Sequence, residues 1–264
     1  MISIVTPTYN SGAYLEECIL SLMNQRYKDF EHIIVDGAST DHTLDIIRKY
    51  EGSYNMRWIS EGDTGMYDAI SKGFDMAQGE ILSWLNSDDM YLPWALQLVA
   101  EVMKNSKIQW LTGIPSQFSK GGVNYCHCQK RLSFPRVLIK KGWMDGRRLG
   151  CIQQESTFWT KELYHKAGGI NTRYQYAGDY HLWKSFAEYE RLYVVNSVMA
   201  GFRIHPGQKS ADTEAYFGEL GPAGSLTGLY RRLRLYSAGR SLFNFFEGEN
   251  FIEVCSLTGN PSQL

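Results

Sequence analysis

Short apolar runs and amphipathic stripes alternate along the first 113 residues. Ile2 to Thr6, His32 to Val35, Met56 to Ser60, Ile81 to Leu85 and Ile108 to Thr112 are runs of four or five residues, and each predicts a buried strand. Between them, Ala13 to Gln25 puts Leu15, Cys18, Ile19 and Leu22 on one helical face. A second helix is predicted over Leu44, Ile46 and Ile47, where Thr40 can serve as the cap. Met66 to Ala77 and Pro93 to Met103 complete the series. Strands that alternate with helices of about a dozen residues imply parallel βαβ units and a doubly wound sheet.

After Gly113 the rhythm breaks. Residues 114–150 mix glycine, aromatic and basic positions, and only Arg136–Lys141 suggests a helix. Thr157-Phe158-Trp159 predicts a strand, Lys161–Ala167 and Tyr180–Glu188 predict helices, and Leu192–Val195 and Met199–Ile204 predict strands. Beyond Gly221, Leu226, Leu229, Leu233 and Tyr236 fall on one helical face decorated by Arg231, Arg232, Arg234 and Arg240. The expected organisation is one α/β domain in two halves, residues 1–113 and 114–220, followed by a helical extension over 221–264.

Composition narrows the function. Hydrophobic content of 44%, charged content of 21% and a net charge of -1 describe a globular protein with no global field for nucleic acid. The start, Met1-Ile2-Ser3-Ile4-Val5, lacks the basic and long apolar regions of a signal peptide, and no apolar stretch is long enough to cross a bilayer. Five scattered cysteines suit reduced thiols and a cytoplasmic setting. Cys126-His127-Cys128 lacks the fourth ligand and the spacing of a structural zinc site, so it is expected to be ordinary loop or strand.

The chemistry gathers at strand ends, where a parallel sheet opens its ligand crevice. Asn86-Ser87-Asp88-Asp89 follows the fourth strand directly. Two adjacent acids there suit a hard cation such as Mg²⁺ or Mn²⁺ bridging to phosphates, although the same residues also make a turn or cap the next helix. Asp36 ends the second strand in Asp36-Gly37-Ala38-Ser39-Thr40-Asp41. Thr40 and Asp41 suffice for the helix cap, which leaves Asp36 free for a base or ribose. Thr6 and Asn10 flank the first loop. No Gly-x-Gly-x-x-Gly follows the first strand and no Gly-Lys-Ser/Thr loop is present, which disfavours dinucleotide binding and NTP hydrolysis.

Four ordered motifs carry a resemblance: Thr6-Pro7-Thr8-Tyr9-Asn10; Val35 to Asp41; Asp68 to Gly73 with Ala77-Gln78-Gly79-Glu80; and Leu85 to Asp89. Together they resemble the family 2 glycosyltransferases of the GT-A fold. The likeness continues through Gln153 to Phe158 and Ala177 to Trp183, and ends near Phe202 to Ser210. It implies inverting transfer of a sugar from a nucleotide diphosphate sugar, UDP-linked rather than GDP-linked, with Mn²⁺ or Mg²⁺ as cofactor. It also implies that Thr6 and Asp36 contact the base and that Pro7, Tyr9, Asn10, Asp68, Lys72, Asn86, Ser87 and Asp88 line the nucleotide site. Asp88, Asp89 and His205 become the metal candidates, with Lys209 and Ser210 as nearby donors for phosphate oxygens. Asp179 matches the general base, often preceded by a second acid in the family and by Gly178 here; Glu155 is the fallback.

The physical logic agrees with these roles. A hydroxyl nucleophile needs a carboxylate to take its proton, and a departing diphosphate needs its charge stabilised. The expected acceptor is a glycan or lipid-linked sugar of bacterial surface polysaccharide synthesis. The leucine and arginine stripe in 224–246 would allow peripheral contact with the inner face of the cell membrane; its alternative is packing on the domain or on a second copy as a homodimer. The rival readings are a nucleotidyltransferase, which lacks its Gly-rich triphosphate loop here, and a non-catalytic nucleotide-sugar-binding module. Among the tryptophans, Trp84, Trp143, Trp159 and Trp183 are candidates for a sugar platform or for core.

Overall fold

The computed structural model describes residues 1–104, 106–119, 133–147 and 149–221, together with the backbone of short strands at 124–125 and 251–252. In chain order the first elements are β1 (Ile2–Thr8), α1 (Leu15–Met23), β2 (Phe30–Asp36), α2 (Thr43–Tyr50), β3 (Met56–Ser60), α3 (Met66–Met76), β4 (Ile81–Trp84), β5 (Met90–Tyr91) and α4 (Ala95–Lys104). There follow β6 (Trp110–Thr112), β7 (Gln117–Phe118), β8 (Asn124–Tyr125), α5 (Arg136–Lys140), β9 (Thr157–Thr160), α6 (Lys161–Lys166), α7 (Gly178–Phe186), β10 (Tyr193–Val195), β11 (Ala200–Arg203), α8 (Thr213–Leu220) and β12 (Phe251–Ile252).

The main sheet runs β12-β10-β6-β9-β4-β1-β2-β3, and a smaller one runs β5-β11-β7-β8. All its pairings are parallel except those of β9, which lies antiparallel between β4 and β6. Strands β2 and β3 extend the sheet to one side of β1, while β4 lies on its other side. The order therefore reverses between β1 and β4, and their carboxyl ends frame the crevice that such a switch point opens.

Alternation along the strands explains the layers. Ile2 and Ile4 of β1 pack with Cys18 and Leu22 of α1 and with Leu96, Val99 and Met103 of α4. Val5 faces the opposite layer, with Ile70 and Phe74 of α3 and the indoles of Trp84, Trp110 and Trp159. Strands β1 and β2 are buried along their whole length, as continuous apolar runs in parallel sheets require. Gly73 lets α3 sit against β1: a Cβ there would lie 2.4 Å from Val5 Cγ1. This contact holds the first turn of α3 beside the crevice.

Trp84, Trp159 and Trp183 form one aromatic cluster with Trp110, their ring centroids 5.4–5.9 Å apart. They are core, as is Trp143, which is 5% exposed. Such pairs contribute about 0.5–1.5 kcal/mol each beyond their buried area. They fix α7 against the sheet.

The predicted helices and strands over 1–113 are present, with shifted ends. Strand β1 continues through Pro7 and Thr8, which pair in register with Val35 and Asp36, where a loop was expected. Helix α7 starts at Gly178, so Asp179 lies in its first turn. The expected C-terminal helical extension contains strand β12, parallel to β10; its leucine and arginine stripe lies outside the described residues, as does Cys126-His127-Cys128. Among the described residues no helix is long and apolar enough to cross a membrane.

Candidate active site

Two loops beyond β1 and β2 are stapled together by Asn10. Its backbone adopts φ 48, a left-handed conformation that asparagine tolerates. Its Oδ1 accepts from the amides of Thr40 (2.9 Å) and Asp41 (3.3 Å), and its own amide donates to Ser39 Oγ (2.8 Å). Thr40 therefore serves Asn10 rather than capping α2. Asp41 takes the helix end instead, accepting from the Thr43 amide at 2.9 Å and from Gly12 at 3.1 Å.

Asp36 is not free as expected. It is fully buried, and its carboxylate accepts from the Ser39 amide (3.0 Å), Ser39 Oγ (2.5 Å) and Ser60 Oγ (2.7 Å). Thr6 is likewise buried, with Oγ1 2.8 Å from His32 Nε2. Burial holds His32 neutral, its pKa lowered to about 3. These two residues organise the strand ends from below.

A cavity of about 910 Å³ opens over those ends. Pro7, Tyr9, Asn10, Asn86, Ser87 and Asp88 line it, together with Glu155, Tyr176, Asp179 and Tyr216. His205, Lys209 and Ser210 border it from the segment after β11. Thr6, Asp36, Asp68, Lys72 and Asp89 are not among its lining residues. Asp68 accepts from the Thr64 amide at 3.0 Å near the start of α3, and Lys72 pairs with Glu61 at 2.9 Å and with Asp68 at 3.6 Å. The spacing of one helical turn unites this pair and keeps it on the outer face of α3.

The acidic turn divides its two carboxylates. Asp88 Oδ2 faces the cavity, 2.9 Å from His205 Nε2. Asp89 points the other way: Oδ1 accepts from the Arg203 amide at 2.8 Å and Oδ2 from Asn86 Nδ2 at 3.3 Å. Arg203, 1% exposed, braces the turn further, donating through Nε to the Asp88 carbonyl (2.7 Å) and through Nη2 to Glu17 (2.6 Å). Burial, then the charges of Asp88 and Glu155, push the Asp89 carboxyl well above the usual range. Among the described residues no group of three or more His, Cys, Asp and Glu forms a preassembled metal cage.

A turn of 3₁₀ helix at Gln154–Ser156 buries Glu155, and its Oε1 has no partner among the described residues. Burial raises its carboxyl, with further upward pressure from Asp88 and Asp179. Asp179 is raised to about 6, again chiefly by burial. Gln154 ties this turn to β4, donating to the Trp84 carbonyl at 2.6 Å. The sequence had singled out Asp88, His205, Glu155 and Asp179, and the fold brings all four to one cavity. Arg203, Gln154, Tyr67, Tyr176 and Glu219 were not singled out, because their partners are 38–186 residues away in the chain.

Solved structures share this architecture. S. aureus TarS (residues 1–349) in complex with UDP-GlcNAc superposes with a TM-score of 0.65 at 19% identity, covering 89% of this chain and 64% of that one. The mannosyltransferase PcManGT from Pyrobaculum calidifontis, in complex with GDP-Man and Mn²⁺, gives a TM-score of 0.62 at 17% identity over 88% of this chain and 67% of that one. The fold is therefore GT-A, and the longer TarS chain is covered over only 38% of its length. The family described as Glycosyl transferase family 2 matches residues 3–155. A PGL/p-HBAD biosynthesis glycosyltransferase of Mycobacterium bovis is 32% identical over 187 residues, 68% of this chain and 67% of that protein. The chain belongs to glycosyl transferase family 2 and is a glycosyltransferase.

Proposed function

We propose that this glycosyltransferase moves a sugar, with inversion, from a nucleoside diphosphate sugar to a hydroxyl of a glycan or lipid-linked acceptor in bacterial surface polysaccharide synthesis. UDP is the preferred carrier, and Mn²⁺ or Mg²⁺ the cofactor. The observation that carries this reading is a single cavity lined by a carboxylate and imidazole pair and by a carboxyl poised near neutrality. Asp88 Oδ2 and His205 Nε2, which share a hydrogen bond at 2.9 Å, are the donors that would hold a divalent ion beside the diphosphate. When bound, such an ion offsets the charge developing on the leaving diphosphate.

The chain's own residues supply the rest. Tyr9, 63% exposed beside the β1 loop, offers a ring for the base to stack on. Asp36 and Thr6 act by holding the loops that carry Tyr9 and Asn10. Lys209 and Ser210 donate to phosphate oxygens. Asp179 takes the acceptor proton, its carboxyl at about 6 being mostly ionised at neutral pH yet still basic. In this reading Asp88 and His205 hold the metal, Asp89 holds the turn, and Glu155 is a neutral wall group, a division supported by the inward Asp88 and the outward Asp89. The UDP preference and the metal are supported by likeness to proteins crystallised with UDP-GlcNAc and with GDP-Man and Mn²⁺.

Thermal unfolding with UDP or GDP, with and without Mn²⁺, tests the donor half. UDP at about a hundred times its Kd should add about 2.7 kcal/mol, a rise of several degrees. That rise should need Mn²⁺, should disappear in Asp88→Ala and should survive in Asp89→Asn. No stabilisation by any nucleoside diphosphate in the presence of metal would overturn the reading. A purely binding module would show the same rise and no dependence of transfer on Asp179.

A further inference from the structure

Helix α7 carries Asp179 but has no cap of its own. Ala177 occupies the cap position and offers no side-chain acceptor, while the first amides of a helix need partners. Two residues from distant elements hold this end instead, one binding the residues that lead into the helix and one reaching its first turn. Glu219, near the end of α8, accepts from the amides of Gln175, Tyr176 and Ala177 at 2.7, 2.8 and 2.8 Å. Tyr67, buried in the first turn of α3, brings its hydroxyl to the same point. It donates to the Tyr176 carbonyl at 2.9 Å, and its oxygen lies 3.4 Å from the Asp179 amide and 3.5 Å from Asp179 Oδ1.

The ring reaches this point because residue 178 is glycine. A Cβ at 178 would stand 2.8 Å from Cε2 and Cζ of Tyr67, closer than real Cβ contacts come. Gly178 is helical with an ordinary negative φ, so its backbone does not require glycine. The requirement comes from the tyrosine. Gly178 and Tyr67 thus form one steric pair, 111 positions apart in the chain, with Asp179 beside it.

We propose that Tyr67 is a positioning residue for Asp179: admitted by the bare backbone at Gly178, its hydroxyl holds the start of α7 and the Asp179 carboxyl in one geometry, locking the base to the first turn of α3. The inference rests on the reading of Asp179 as the base. It goes beyond that reading by naming the group that orients the carboxyl in a site where no second acid adjoins it. Burial is the main force raising Asp179; the Tyr180 amide and the Tyr67 hydroxyl act downward, and the charge of Glu219 acts upward. Glu155, Cys151 and Tyr216 also feel the Asp179 charge and complete the titratable surroundings of the carboxyl.

The test needs no donor sugar. Carboxyl ¹³C NMR of the ligand-free full chain, with Asp179→Asn to assign the resonance, follows the Asp179 midpoint directly. Tyr67→Phe keeps the ring and removes the hydroxyl, so the midpoint should rise by on the order of half to one pH unit. A midpoint unchanged in a folded Tyr67→Phe protein overturns the proposal. The steric pairing is read separately by thermal unfolding: Gly178→Ala should lower Tm in the native background and much less in Tyr67→Ala. Equal losses in both backgrounds also overturn it. Should Asp179→Asn leave transfer intact, the base assignment fails while the NMR shift stands, so the two failures are told apart.

Discussion

The two ends of the central strands hold buried acids of opposite character. At the amino end of β2, Glu31 is 2% exposed and accepts from Ser3 Oγ (2.5 Å), the Gln78 amide (2.6 Å) and Arg57 Nη2 (2.5 Å). Burial pushes its carboxyl up, but the bonds from Ser3, Gln78 and Arg57 outweigh it, and the net shift is downward. At the carboxyl ends, burial wins: Asp89, Glu155 and Asp179 all lie above their usual range, and Glu155 Oε1 has no partner among the described residues. The same sheet gives Glu31 at one end and Asp36 at the other three donors each, and leaves Glu155 beside the cavity with an oxygen that no described residue satisfies. A buried carboxylate becomes a functional candidate through missing partners, since burial is common to both ends.

The comparison breaks most visibly at Asp179. Asp179→Asn keeps the shape and removes the basic oxygen, so transfer should fall by about 10²–10⁴-fold. UDP affinity in Mn²⁺, measured by calorimetry, should stay within a fewfold of the parent. Transfer that survives would place Asp179 with Glu31, as an acid held for structure.

At Glu31 the expected loss is of stability alone. Glu31→Ala strands the Arg57 guanidinium, the Ser3 hydroxyl and the Gln78 amide, at a cost of about 3 kcal/mol in urea unfolding. Activity per folded molecule should be unchanged. The pH dependence has a definite sign: the folded value lies below the ordinary 4.5, so the stabilisation is full above that value and is lost as pH falls through the folded one. Glu31→Gln should therefore flatten the acid side of the stability curve.

How much of this was legible in the sequence depends on the distance over which partners meet. The strands and helices of residues 1–113 follow from local periodicity, since each element's apolar stripe faces a neighbouring layer. Asp88 stood out because it follows a strand end, and Asp179, Glu155 and His205 because they match positions in the family the motifs resemble. The direction each side chain takes did not stand out. Asp88 and Asp89 are adjacent and chemically identical, and Arg203, 115 residues further on in the case of Asp88, decides which one turns inward. Asp36 looked free because Thr40 and Asp41 could cap α2, but Asn10 claims the Thr40 amide and Ser39 and Ser60 claim Asp36. Tyr67 and Gly178 looked unremarkable apart and acquire meaning only when α3 and α7 meet.

The pH profile of transfer offers a gentler test. As the proposed base, Asp179 would have to be ionised to accept a proton, and its carboxyl is raised to about 6. Activity should be full above that pH and fall about tenfold per unit below it. Stability moves the opposite way, because a raised folded value means that proton uptake between pH 6 and the ordinary 3.8 favours the folded state. An acid limb near 4 would mean that the carboxyl is as well satisfied as Glu31, and the contrast between the two ends would lose its functional meaning.

The smallest effect is expected at Lys72, whose motif suggested nucleotide contact. Its ammonium is held by Glu61 at 2.9 Å, Asp68 at 3.6 Å and the Gly62 carbonyl at 3.1 Å on the outer face of α3. Surface pairs of this kind contribute about 0–1 kcal/mol, so Lys72→Ala should change stability by no more than that. UDP affinity in Mn²⁺ should stay within about twofold, because the side chain does not reach the cavity and screening weakens its field there. A tenfold loss would mean that Lys72 leaves Glu61 and Asp68 to meet the diphosphate. It would then behave like the under-partnered acids opposite, as a group whose pairing in the free protein is provisional.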